Sequence, residues 1–327
     1  MKICVAGLGA VGGLLAARLA MSGADVRGLA RGATLAAVRD RGLTLVETDG
    51  RRHVVPLPVS DSPTELGAAD LLVIAFKAQA LAADAASLAP LIGPQTVVLP
   101  MMNGVPWWFL LAADPHAAPL TSVDPGGAVS RTMPLHQTLG AVVHLTCRGT
   151  APGEVTHGFG DRLIVGEPRG GASDRVQSVA QALERGGFRV ERSADVRRDI
   201  WFKLWGNMTM NPVSALTGAT CDAIMDDELV AGFLARGMRE AAAVGDRIGC
   251  PIDQTPEARM AVTRQLGAFK TSMLVDAEAG RPLELDALVG AVREIGARVG
   301  VRTPNVDALH GLARLMDRTR RRAATPP

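Results

Sequence analysis

Ile3-Cys4-Val5-Ala6-Gly7-Leu8-Gly9-Ala10-Val11-Gly12 decides the fold of this chain. Four apolar residues suited to a buried strand run into glycines spaced GxGxxG, and an Ala/Leu-rich helical stretch follows over 11–22, stopping near Gly23. A strand, a glycine turn and a helix in that order form a dinucleotide-binding unit in which each glycine has its own task. Gly7 makes the tight turn, Gly9 lets the main chain approach a pyrophosphate, and Gly12 lets helix and strand pack closely; the anion rests on N–H groups at the helix start. On this reading Gly7, Leu8, Gly9, Ala10, Val11 and Gly12 hold the cofactor, against the alternative of a purely structural glycine turn. A second strand is expected over 25–29, and the residue after it should meet the adenosine ribose. An acid there accepts from the 2′-hydroxyl of NAD, but this chain places Ala30-Arg31-Gly32 at that point. The Arg31 guanidinium can grip a 2′-phosphate with two parallel hydrogen bonds, which points to NADP(H). The other reading of Arg31 is a solvated loop residue in a chain with 31 arginines.

Working outward, apolar runs at 71–76 and 96–101 are separated by an alanine-rich helical stretch at 80–91, the pattern of right-handed βαβ units and a parallel sheet. Shorter β-branched segments at 120–123, 140–146 and 162–165 read as the far edge of that sheet. A helix over 171–185 and a last strand over 188–191 follow. From Asp195 onward only helical periodicity and caps remain, with breaks expected at Pro212, Gly249-Cys250-Pro251, Gly280-Arg281-Pro282 and Thr303-Pro304. The fold class is therefore α/β, with an N-terminal Rossmann-type dinucleotide-binding domain at 1–194 and an all-helical domain for substrate and dimerisation at 195–327.

Composition removes several other classes. With 327 residues, 47% hydrophobic and 21% charged, the chain can bury two cores, and a net charge of +2 offers no field for nucleic acid. Its basic run, Arg318 with Arg320 to Arg322, reads as a frayed tail. The four cysteines lack CxxC spacing and the six histidines lack HExxH, which gives no disulfide framework and no metal site. Neither a leader nor a membrane-length apolar stretch is expected, so the reading is a cytoplasmic enzyme without membrane partners. The apolar helical half suits a homodimer.

Open α/β sheets bind ligands beyond the carboxyl ends of their strands. Lys77 follows the run at 71–76, and Asn103-Gly104 follows that at 96–101; either can be a turn residue or a ligand contact. Lysine is scarce here, with only Lys2, Lys77, Lys203 and Lys270, and unlike arginine it can release a proton in a desolvated pocket. Lys203 sits in Ile200-Trp201-Phe202-Lys203-Leu204-Trp205-Gly206-Asn207-Met208-Thr209-Met210-Asn211-Pro212, a helix apolar over most of its surface. Lys203, Asn207 and Asn211 fall at i, i+4 and i+8, along one face, and buried polar groups must meet a polar cleft or an internal network. Pro212 should kink or stop the helix. Glu284 before an apolar-periodic helix can serve the helix dipole alone, and Ser272 can be a helix cap.

With these pieces assembled the chain resembles the ketopantoate reductase family, the NADPH-dependent 2-dehydropantoate 2-reductases, over nearly its full length. The resemblance rests on Gly7 to Gly12, Lys77, Met102-Asn103-Gly104, Lys203 with Asn207 and Asn211-Pro212, and Ser272 with Glu284. It implies that Lys203 is the general acid in the reduction of a small 2-oxo acid, and that Asn207, Asn211 and Ser272 hold the acid. Asn103, as a further substrate contact, and Glu284 would touch the cofactor near the reacting carbon, with Lys77 assisting in the same cleft. The chain departs from the pattern at Cys221, where family members often carry an amide, and at Trp107-Trp108, whose indoles could reshape a pocket beside the nicotinamide. A 3-hydroxy-acid or opine-type dehydrogenase is the rival within the class. A non-catalytic NADPH sensor is the rival outside it, and a sensor has no need of Lys203.

Overall fold

Among the described residues ten strands form, in chain order β1 (Lys2–Ala6), β2 (Asp25–Leu29), β3 (Leu43–Val46), β4 (Arg52–Val55), β5 (Val59–Ser60), β6 (Ala69–Ile74), β7 (Ile92–Pro100), β8 (Gly140–Ala151), β9 (Glu154–Gly166) and β10 (Arg189–Ser193). The computed structural model describes residues 1–265 and 267–324. The chain divides into two units, Met1–Pro119 with Gly126–Asp199, and Leu120–Pro125 with Ile200–Pro327, of which the last three residues lie outside the described ones.

In the first unit, β1 lies at the centre of a five-stranded sheet ordered β5-β2-β1-β6-β7, every pairing parallel. Buried on both faces, β1 and β6 are apolar throughout their centres, as a covered parallel sheet requires. The β-branched segments expected at this sheet's far edge instead build a second sheet, ordered β10-β9-β3-β4 with β8 paired antiparallel along β9. The reason is length. β8 and β9 run for 12 and 13 residues, enough for β9 to take β8 on one side and to pair with both β3 and β10 in parallel. The first helix, α1 (Ala10–Met21), packs on strands of both sheets, and Leu14, Leu15, Ala16, Ala17 and Leu19 are fully buried. A helix enclosed on all sides carries apolar residues all round, which is why this stretch shows little amphipathic periodicity. The helices α2 (Gly32–Arg41), α3 (Pro63–Leu66), α4 (Ala78–Asp84), α5 (Phe109–Ala113), α6 (Ala128–Thr132) and α7 (Asp174–Arg185) complete this unit.

The segment expected as a strand at 120–123 is a turn and belongs to the second unit. Its backbone donors are taken by a carboxylate: the N–H groups of Thr121 and Ser122 and the Ser122 hydroxyl donate to Glu294 at 2.9, 2.9 and 2.7 Å. The helices are α8 (Val196–Thr217), α9 (Cys221–Asp226), α10 (Glu228–Arg247), α11 (Pro256–Arg264), α12 (Ser272–Glu278), α13 (Ala291–Arg298) and α14 (Pro304–Ala324), with a π-helical turn at Asp286–Gly290. The unit boundary after Asp199 falls inside α8. Pro212 does not stop α8, which runs on to Thr217. Met208, Met210, Val213 and Ala215 are buried on either side of it, and their packing offsets the roughly 3 kcal/mol that an interior proline costs. The arginine run at the chain's end is no frayed tail: Arg320 in α14 donates to Asp317 and to the carbonyls of Ala277 and Arg281.

Candidate active site

The glycines of the β1–α1 loop divide their work as their spacing predicts. Gly7 has φ +98°, and a Cβ there would lie 2.9 Å from the Phe76 ring. A Cβ on Gly12 would lie 1.9 Å from the carbonyl oxygen of Gly7 and 2.8 Å from Ala75, a clash with backbone that no side-chain rotation relieves. Gly9 is the opposite case, with nothing within 4 Å of its missing side chain. That open space lies at the N-cap of α1, whose first turn holds no acid, so the positive end of the helix is bare toward an anion. The loop thus fits a pyrophosphate on an observation independent of the motif.

Arg31 stands at the N-cap of α2, directly after β2, and α2 too has no acid in its first turn. The guanidinium is not merely solvated: its Nη2 donates to Asp84 at 2.9 Å in an exposed ion pair. Sequence reasoning missed Asp84, since nothing in the local pattern brings the end of α4 to the end of β2. Lys77 is the N-cap residue of α4, half-buried three residues beyond β6. Asn103 is half-buried and precedes Gly104 at φ +88°, so it does make the expected turn beyond β7.

In the second unit α8 carries Lys203, Asn207 and Asn211 on one face. Trp201 and Trp205 fix the helix against α10, the Trp205 indole donating to the Met238 carbonyl at 2.7 Å. Gly245 admits the Trp201 ring, since a Cβ there would meet Nε1 at 2.5 Å. Desolvation lowers the Lys203 pKa from 10.5 to about 8, and the Glu284 carboxylate, just ahead of the π-helical turn, partly opposes that shift. Asn211 is buried, and among the described residues neither its amide nor that of Asn207 has a protein hydrogen-bond partner. Asn207 is half-buried, and the two open amides beside the lysine are available to hydrogen-bond an oxygen-rich ligand.

Other expectations are settled differently. Ser272 is the first residue of α12 and exposed, while its neighbour Thr271 caps the helix by accepting from the Leu274 N–H at 3.1 Å. Trp107 and Trp108 are both buried, and the Trp107 indole donates to the Met133 carbonyl at 3.1 Å. Cys221 is likewise a core residue, packed with Met210, Val213 and Ile224, and burial pushes its thiol pKa up.

A glycine-loop dinucleotide seat in one unit and a desolvated lysine with two open amides in the other define a nicotinamide-dependent oxidoreductase of the Rossmann class. The family profile for ketopantoate reductase PanE/ApbA matches residues 3–170, and that for its C-terminal part matches residues 195–317. The chain belongs to the ketopantoate reductase family. It is 41% identical to a 2-dehydropantoate 2-reductase of Mesorhizobium japonicum over 96% of this chain and 97% of that protein. A crystal structure from Ralstonia solanacearum MolK2, described as a candidate ketopantoate reductase, is 55% identical with a TM-score of 0.93 over 98% of each chain. That of 2-dehydropantoate 2-reductase from Methylococcus capsulatus is 27% identical with a TM-score of 0.83, again over 98% of each.

Proposed function

We infer that this chain reduces 2-dehydropantoate to pantoate with NADPH, and that Lys203 is its general acid. The observation that carries the reading is the lysine with a pKa lowered to about 8 on the helix face that also presents the unbonded amides of Asn207 and Asn211. Bound NADPH supplies the hydride that adds to the keto carbon. The chain's residues do the rest. The Gly7 to Gly12 backbone and Arg31 seat the pyrophosphate and the 2′-phosphate, and Lys77 and Asn103 border the nicotinamide end.

Lys203 donates a hydrogen bond to the ketone oxygen and gives up its proton as negative charge develops there. A group with a pKa near 8 is still an acid at neutral pH, yet releases its proton more readily than an ordinary lysine. After the hydroxyl has formed, the neutral amine regains a proton from water. Asn207, Asn211 and Ser272 orient the substrate's oxygens, since an amide or hydroxyl can donate to them without competing for the proton. Glu284 keeps enough negative potential near Lys203 to hold it in the acid form, and it contacts the cofactor beside the reacting carbon.

We also assign the protein to the cytoplasm as a homodimer. Among the described residues no helix is long and apolar enough to cross a membrane. Exposed Leu312 and Leu315 lie one turn apart on α14 and suit a partner copy, which light scattering on the eluting protein would test. The function is tested by following NADPH consumption with 2-dehydropantoate and a series of other 2-oxo acids. Turnover greatest with 2-dehydropantoate is expected; turnover with none of them overturns the reading.

A further inference from the structure

Arg259 of α11 is a cation without an anion. Its Nε is fully shielded from solvent and has no hydrogen-bond partner, and among the described residues no carboxylate pairs with it. Desolvation depresses its pKa, with no neighbouring acid to compensate. The guanidinium stacks over the Phe202 ring at 5.4 Å and leans on Gly206, where a Cβ would meet its Nε at 2.9 Å and its Nη2 at 3.2 Å. Phe202 and Gly206 immediately precede Lys203 and Asn207 along α8, so the absence of a side chain at 206 is what admits this charge to the flank of the lysine–amide stripe. A shielded N–H left unbonded is destabilising, the more so when it belongs to a charged group. A cation–π contact recovers only part of that. Such an expense is balanced when a ligand supplies the missing acceptor, and a planar fork of donors matches a carboxylate.

We propose that Arg259 is a specificity residue that binds the carboxylate of the oxo acid, while Lys203 and the two asparagines serve its other oxygens. This rests on the reading of the Lys203 stripe as the substrate site. The proposal accounts for Gly206, which the fold does not need for a turn, and for a half-buried arginine whose Nε is shielded from solvent with no acceptor.

The test uses the full-length protein and three variants, Arg259→Ala, Arg259→Lys and Gly206→Ala, with thermal melts to establish that each folds. Arg259→Ala should raise KM for the oxo acid 10- to 100-fold while the NADPH dissociation constant, read by quenching of protein fluorescence, stays put. Arg259→Lys should recover part of the loss. Gly206→Ala, which displaces the guanidinium but keeps the charge, should move KM in the same direction. An unchanged KM in Arg259→Ala overturns the proposal and leaves the role of Lys203 intact. Should the wild type turn over no oxo acid, calorimetric titration of 2-dehydropantoate in the presence of NADP decides. Binding lost in Arg259→Ala sustains the anchor although the reductase reading has failed, and equal binding or none removes it.

Discussion

The two units build their chemistry from different parts of the chain. In the first unit the β1–α1 loop offers main-chain N–H donors, and what matters in that stretch of sequence is where a side chain is missing. In the helical unit the working groups are side chains on one helix, and what matters is which polar atoms stay unbonded inside an apolar shell. The first kind of site tolerates no added atom in the loop's packing; the second tolerates changes of shape but not of chemistry. Substitutions at the packing glycines should therefore act on stability, and substitutions along the α8 stripe on rate or substrate affinity.

The largest effect expected is at Gly12, where a methyl group would sit 1.9 Å from a backbone oxygen. Gly12→Ala should cost about 3 kcal/mol or more and show as a marked fall in melting temperature. Gly9→Ala, three residues beyond β1's end in the same loop but facing open space, should leave the melt unchanged while weakening NADPH several-fold in a fluorescence titration. Equal melts for the two variants would erase the distinction between packing glycine and ligand glycine. Next comes Lys203→Ala, expected to lower kcat by about 10² through loss of the proton donor, with NADPH affinity retained.

A substrate amide is worth less. Asn211→Ala should raise KM for the oxo acid about fivefold, the scale of one hydrogen bond of ~1 kcal/mol, with little change in the melt. The pH profile sharpens the comparison further. Because the acid form of Lys203 is lost as pH rises through about 8, the reduction rate should be level below that value and fall above it. Glu284 raises the lysine's pKa, so Glu284→Gln should move the break to lower pH. A break that stays in place would remove Glu284 from that role. The smallest effect belongs to Arg31 and Asp84, an exposed pair whose mutual attraction is worth ~1 kcal/mol or less. Arg31→Ala should narrow the preference for NADPH over NADH a few-fold, and Asp84→Asn, which frees Arg31 for a phosphate, should widen it.

Legibility in the sequence follows the same division. The β1–α1 loop could be read outright because its determinants are contiguous and each glycine answers a separate steric demand. The α8 stripe could be read as a face because 3.6-residue periodicity lines up 203, 207 and 211, and the scarcity of lysine singled out the first of them. What escaped was set by distant partners. The second sheet depends on β9 finding β3 and β10, which no local pattern announces. The turn at 120–123 looked like a strand because its β-branched residues were visible while Glu294, which takes its donors, lies more than 170 residues on. Trp107 and Trp108 looked like pocket walls because bulk is evident in a sequence and burial is not. Arg259 carried no signal among so many arginines.

Helix α1 is held from above and below. Gly13 lets Val155 of β9 close on it from one sheet, while Arg18 clamps it through Glu47, at 3.0 and 2.5 Å, and His157, at 2.9 Å. The amides that would receive a phosphate thus begin a helix anchored near its far end by Arg18. A nucleotide bound here should spend little of the attraction between them on ordering the chain. Departure then leaves behind a cradle ready for the next molecule, a useful property wherever spent cofactor must be exchanged for fresh at every cycle.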